Sequence, residues 1–325
     1  MKERKVFLTK EQSLVLRGIA IVMVILSHYA EWYAEILSNE TFRYALTRLG
    51  VYGVNIFFLV SGYGLVKSVS RKRIGWSFLW NRVKNTYLPY LLIAGLIELY
   101  AGGIHTAEGW FKYLTGHDYW FIQNILLFYI LFFAVYRLTR KEGMRMALLA
   151  AALLGYSWAL VEMGRADFWY ISNISFMIGI LLAQYEKKLL RAADFGCLLQ
   201  LLLLAAGMVW VVKTGLENRV VPLEQPAAIR NGVIASGIWS LFCIQAAGIF
   251  QRRAGFMAPV GKISLELYLL HMFLFYRVLN EFLDLNRILQ SAMALVITAG
   301  AAWLINWMFS LLWSAVDTLN GRKRK

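Results

Sequence analysis

Residues 17–28 read RGIAIVMVILSH. An Arg opens the run, a His closes it, and almost everything between them is apolar. The run has the composition of a membrane-crossing helix, yet it holds an ionisable group at each end. Eleven residues at 100° each bring His28 to within about 20° of Arg17, so the two share one helix face. At 1.5 Å per residue they stand about 16 Å apart along the axis. Ionisable groups inside spans are expensive and by default mark function. Simpler readings stand beside that one. Arg17 can snorkel to headgroups at the membrane surface, and His28 can be a core histidine bonded to a neighbouring helix.

The rest of the chain agrees with a membrane reading. It has 325 residues, 59% hydrophobic and only 16% charged, where a soluble domain is about half apolar and a quarter charged. The net charge of +15 does not point to nucleic acid, whose partners gather basic residues on one solvated face. Here Lys and Arg sit in short clusters between apolar runs. Those runs are about 17–25 residues long, as a helix needs to cross roughly 30 Å of hydrocarbon. They predict ten spans, at 14–33, 50–68, 87–105, 119–138, 146–162, 168–185, 195–213, 230–250, 262–283 and 290–313. Period-2 alternation is missing, which argues against strands. The expected fold is an all-α integral membrane protein, a bundle of about ten transmembrane helices forming one domain over residues 1–325. Cys197 and Cys243 both lie inside apolar runs, so no disulfide framework is implied.

Orientation follows from the basic clusters. KERK at 2–5, RKR at 71–73 with Arg82 and Lys84, RLTRK at 137–141 and the terminal GRKRK all fall on one side of the expected bundle. The positive-inside rule puts that side, and both termini, in the cytoplasm. The segment TAEGWFKYLTGHD at 106–118 is then outside. Its Trp110, Phe111, Tyr113 and Leu114 predict a short helix lying in the interface.

Glu98, Glu266 and His271 are further ionisable residues inside spans. The ninth span begins GKISLELYLLH at 261–271. Ser264, Tyr268 and His271 follow an i, i+4, i+7 pattern and form one polar stripe. The second span, GVYGVNIFFLVSGYGLV at 50–66, holds Gly50, Gly53, Gly62 and Gly64, which permit close helix approach. It also holds Asn55, at a depth similar to His28, and Ser61. The four His are scattered, with no HExxH and no Cys cluster, so no metal site is expected.

Three of these stretches, taken together, resemble the membrane-bound acyltransferase family 3. RGIAIVMVILSH is similar to the family's opening Arg, Gly and spaced His. GVNIFFLVSGYGL is similar to its Gly, Phe-Phe and Ser-Gly motif, and GKISLELYLLH to its late Gly, Ser, Tyr-Leu and His motif. RVKNTYLPY and DYWFIQNILLFY are weaker echoes. Asn55 stands where the family often has Asp or Pro, and Lys84 follows Arg82 at one remove where a denser Arg pair is usual.

The resemblance implies an enzyme of the plasma membrane that moves an acyl group, often acetyl, from acyl-CoA to a carbohydrate or lipid-linked glycan. Acyl-CoA is then a co-substrate and no cofactor is tightly bound. Arg17, Arg82 and Lys84 would meet its phosphates, for which Arg is suited by its bidentate fork. Transfer to a hydroxyl needs a base, and His28 is the first candidate. His271 would share the proton work or hold the thioester carbonyl, with Tyr268 or Asn55 as oxyanion donors. Ser61 belongs to the Ser-Gly motif, and both a covalent acyl-His or acyl-Ser intermediate and direct transfer stay open. The alternative reading is a membrane transporter or flippase, which would also place polar residues at mid-membrane.

Overall fold

A computed structural model describes residues 6–32, 39–69, 74–194, 197–217, 225–249, 255–279 and 286–319. Every regular element among them is helical. In chain order these are α1 (Lys10–Trp32), α2 (Glu40–Val69), α3 (Trp76–Arg82), a π-helical segment (Val83–Tyr87) and α4 (Leu88–Tyr100). Next come α5 (Ala107–Thr115), α6 (Trp120–Leu138), α7 (Glu142–Glu162), a 3₁₀ turn (Asp167–Trp169), α8 (Asn173–Gln184) and α9 (Glu186–Asp194). The series closes with α10 (Cys197–Glu217), α11 (Gln225–Ile249), α12 (Met257–Lys262), α13 (Ser264–Phe273), a second π-helical segment (Leu274–Leu279) and α14 (Arg287–Leu319).

Among the described residues five helices are long and apolar enough to cross a membrane: α1, α2, α6, α7 and residues Ile288–Leu319 of α14. The other five expected intervals also hold helices, among them α10 with 21 residues and α11 with 25. The interval 87–105 holds only the 13 residues of α4, which continue α3 through the π-helical segment. In 168–185 the helix starts late, at Asn173, after the 3₁₀ turn.

The chain divides into two compact units. One comprises Met1–Leu79 and Asn124–Gly261, the other Trp80–Gln123 and Lys262–Lys325. In the first unit α1 begins at a reciprocal capping box. The Gln12 backbone N–H donates to Thr9 Oγ1 at 3.1 Å and the Thr9 N–H donates to Gln12 Oε1 at 2.8 Å, which satisfies two donors that a helix start leaves open. Gln12 Nε2 also donates to the Ala247 carbonyl at 2.8 Å, tying α1 to α11. The segment before α1 is held by Glu186, which accepts from the Phe7 N–H at 3.0 Å and from Tyr63 and Lys67. Burial pushes the Glu186 carboxyl up, and these three donors outweigh it, holding it below the ordinary carboxylate range.

Two pairs of glycines set the helix spacing. A Cβ on Gly18 of α1 would overlap the Met257 carbonyl oxygen of α12, and one on Gly261 would overlap the Leu14 carbonyl oxygen of α1. The same reciprocity joins α2 and α8: Gly62 faces the Phe176 carbonyl and Gly179 the Leu59 carbonyl. Small residues that let backbones touch are the usual device where lipid removes the hydrophobic drive between helices. Gly64 departs from the expected packing role, since open space surrounds it. Beside these contacts Phe58, Phe128 and Phe176 form a solvent-free aromatic core, with ring centroids 5.0 Å apart for Phe58–Phe128 and 4.9 Å for Phe128–Phe176.

In the second unit α5 is the short helix expected at 106–118. Thr106 caps it, accepting from the Gly109 N–H at 3.0 Å, and Gly116 ends it in the left-handed region at φ 73°. Its C-terminal residues return to the start of α4. Tyr113 donates to the Leu91 carbonyl at 2.6 Å, and Tyr87 donates to the Leu114 carbonyl at 2.9 Å. The helix therefore folds back antiparallel along α4 and is anchored there by tyrosine hydroxyls. Trp110, Phe111 and Leu114 remain exposed on its outer face.

Candidate active site

His28 lies in the last two turns of α1. Its Nδ1 is 3.3 Å from Glu31 Oε2, and its ring stacks on Trp32 with centroids 6.2 Å apart. A carboxylate only accepts, so Nδ1 is the protonated nitrogen and Nε2 the basic one. That is the tautomer a general base needs, oriented by an acid one turn away. His28 is not deeply buried in the protein. Its side chain is 28% exposed and that of Glu31 54%, because this face of α1 is not covered at the helix end. The i, i+3 spacing of Glu31 from His28 is the sequence signal for such a partner.

Arg17 stands eleven residues earlier on the same helix and is half-buried. Its neighbour Gly18 is the residue locked against Met257, so the close approach of α1 and α12 fixes the stretch that carries the guanidinium.

Asn55 is completely buried on α2 and belongs to a hydrogen-bonded cluster. Its Nδ2 donates to Ser236 Oγ at 3.1 Å, and its Oδ1 accepts from Ser175 Oγ at 2.9 Å. Ser240 Oγ lies 2.9 Å from Ser175 Oγ and donates to the Ser236 carbonyl at 2.8 Å. The cluster joins α2, α8 and α11. Both ends of the amide are engaged in helix packing. Removing it strands Ser175 and Ser236 in an apolar interior. Each buried group left unsatisfied costs about 1–3 kcal/mol, so Asn55→Ala should lower the midpoint of thermal unfolding clearly while the folded fraction keeps its affinity for CoA. Ser61, six residues on, is half-buried beside Gly62.

The polar stripe of the ninth span appears as read. Ser264, Tyr268 and His271 are all buried on α13. His271 Nδ1 faces the carbonyl oxygens of Tyr268 at 2.8 Å and Leu267 at 3.1 Å. Carbonyls accept, so here too Nδ1 carries the proton and Nε2 is the basic nitrogen. Tyr268 packs edge-on to Phe121 at 5.1 Å and to Tyr119 at 6.5 Å, and its ring is 6.0 Å from His271. Tyr119 in turn meets Tyr90, which meets Tyr113. A row of phenol rings thus leads from the α4–α5 pair to His271 within the second unit. Glu266 shares α13 and is 4% exposed. One of its oxygens accepts from Asn306 Nδ2 at 2.8 Å. The sequence marked Glu266 as an ionisable residue in a span but gave it no partner.

The basic residues of the proposed donor mouth are placed differently. Arg82 ends α3, half-buried, at the junction with the π-helical segment. Lys84 lies inside that segment and is already engaged: Nζ is 3.6 Å from Asp317 and 4.5 Å from the centre of the Trp313 ring. Its charge holds α14 against the π-helical segment. Residues 71–73 lie outside the described residues. The second π-helical segment begins three residues after His271. Such irregular turns interrupt helices most often at functional sites.

The described residues thus form a helical protein with several membrane-length helices, with Arg17 and His28 on the first and a buried His271 on α13. The family model described as an acyltransferase domain matches residues 15–307. The chain belongs to acyltransferase family 3. No curated protein matches it, and no solved structure does.

Proposed function

We propose that the protein transfers an acyl group, with acetyl the expected one, from cytoplasmic acyl-CoA to a hydroxyl of a cell-surface or exported carbohydrate, which includes a lipid-linked glycan. The membrane is the plasma membrane, spanned about ten times with both termini cytoplasmic. The observation that carries the reading is α1: one helix, tied at its start and at Gly18, holding Arg17 and an oriented His28 on one face. Their separation of about 16 Å suits a long thin pantetheine arm with phosphates at one end and a thioester at the other. Arg17 binds the phosphates, with Arg82 assisting. His28 Nε2 takes the proton of the acceptor hydroxyl as its oxygen attacks the thioester carbonyl. The C–S bond then breaks, and the CoA thiolate leaves with a proton returned by the imidazolium. Tyr268 and His271 are proposed as the groups that steady the developing oxyanion and its proton. The membrane excludes water from the thioester, which otherwise hydrolyses.

Direct measurement of CoA binding to purified protein tests the donor assignment. A hydrogen bond to a charged group contributes about 1.5–3 kcal/mol, so Arg17→Ala should weaken CoA binding about tenfold or more and Arg17→Lys should restore only part of it. Unchanged CoA affinity in a folded Arg17→Ala protein removes Arg17 from the donor site.

A further inference from the structure

Away from these residues, α7, α8 and α11 enclose a cleft of about 620 Å³ within the first unit. That volume is in the range of small-ligand sites. Its walls are mostly apolar, with Ala150, Leu153, Val161, Ile174 and Met177 among them, and Leu154 and Trp158 on the α7 wall are each 68% exposed, so it opens on the protein's surface. Along α7 the lining runs from Ala150 to Glu162, about 18 Å at 1.5 Å per residue. Its ionisable groups, Glu162 and Arg230, lie with Asn173 toward one end, and Ser157 and Tyr170 also line it. Glu162 ends α7, Asn173 begins α8 and Arg230 lies near the start of α11.

Asn173 is the telling residue. It is 2% exposed, and its Nδ2 donates to Ser157 Oγ at 3.0 Å. Its Oδ1 is buried with no hydrogen-bond partner. A buried amide oxygen that lines a cavity and lacks a donor calls for an occupant that supplies one. Among the described residues, Glu162 and Arg230 form no ion pair within 4.0 Å, although both line the same cleft.

We propose that this cleft binds one phospholipid whose headgroup carries a primary ammonium. The acyl chain lies along the apolar walls, the phosphate meets Arg230, and the ammonium donates to Asn173 Oδ1 and Glu162. The charge pattern selects this occupant. A phosphate satisfies Arg230 but has no hydrogen to give Asn173. A choline headgroup has the positive charge without an N–H. A glycerol headgroup has a donor but brings no cation to Glu162. The site is independent of the acyl-transfer reading and stands or falls on binding alone.

Native mass spectrometry of the full chain in detergent micelles, titrated with dipalmitoyl phosphatidylethanolamine, phosphatidylcholine or phosphatidylglycerol, tests it. One ethanolamine lipid should bind saturably, with the other two about tenfold weaker or more, as the loss of one charge-assisted hydrogen bond implies. Arg230→Gln, at an exposed position, and Ala150→Trp, which fills the apolar end, should each reduce ethanolamine-lipid retention by a similar factor. Circular dichroism confirms that both variants are folded. Equal binding of all three lipids, preference for the glycerol lipid, or retention unaffected by both folded variants overturns the proposal.

Discussion

A His28→Gln protein should fold, bind acyl-CoA with the parent affinity, and turn over about 10²–10⁴-fold more slowly, the usual loss for a positioned acid–base group. Gln keeps a hydrogen-bonding side chain toward Glu31 but offers no comparable base. The change thus separates catalysis from helix packing. A structural His28 predicts the opposite pattern, with reduced yield of folded protein and activity lost only in proportion. Glu31→Gln is the companion. The pair is exposed, and exposed pairs contribute about 0.2–1 kcal/mol, so its effect on turnover should be at most about fivefold and confined to kcat. Single-turnover acyl transfer measured beside CoA binding reads both. A well-folded His28→Gln protein with parental turnover moves the search for the base to His271.

The second large effect is expected at Gly261. In an open helix, replacing Gly by Ala gains about 0.5–1 kcal/mol through the unfolded chain. At Gly261 the added Cβ meets the Leu14 carbonyl oxygen, and Gly18 faces the same helix pair from the other side. Backbone cannot rotate away as a side chain can, so α1 and α12 must separate. Forcing extra carbons into a close-packed contact costs about 1–3 kcal/mol and sometimes more, a large share of a total stability of about 5–15 kcal/mol. Gly261→Val should therefore sharply lower the thermal midpoint in detergent, and also weaken CoA binding because Arg17 sits on the displaced stretch. Gly64→Ala is the control: open space surrounds that position, and its midpoint should hold or rise. If Gly261→Val melts with the parent, the close approach of α1 and α12 is wrong.

The parts of this account legible in the sequence are those written in local periodicity. Apolar runs located the helices, because each span reports its own solvent. The stripe of Ser264, Tyr268 and His271 was readable for the same reason, since one helix period fixes it. The capping box at Thr9 and Gln12 was equally local. Contacts between distant segments were not legible. Nothing near Asn55 announces Ser175, Ser236 or Ser240, which arrive from two other helices and engage both ends of its amide. Lys84 and Asp317 are likewise joined only by the fold. The return of α5 along α4 depends on where Tyr87 and Tyr113 find carbonyls, which an amphipathic pattern alone does not specify. Hydropathy treats a span as uniformly covered, whereas the end of α1 leaves one face of His28 open. Glu31 was readable by its spacing, but it looked like the ordinary polar end of a span.

Sealed membrane vesicles from cells that produce the protein, supplied with acetyl-CoA radiolabelled in the acetyl group on the cytoplasmic face, test the central claim most directly. The label should become covalently attached to carbohydrate, only where the protein is present, and His28→Gln should abolish that attachment while the vesicles still bind CoA. Release of the label by mild alkali would identify it as an O-ester. Label that crosses the membrane and accumulates as an unmodified small solute, with none on carbohydrate, would contradict acyl transfer and favour transport.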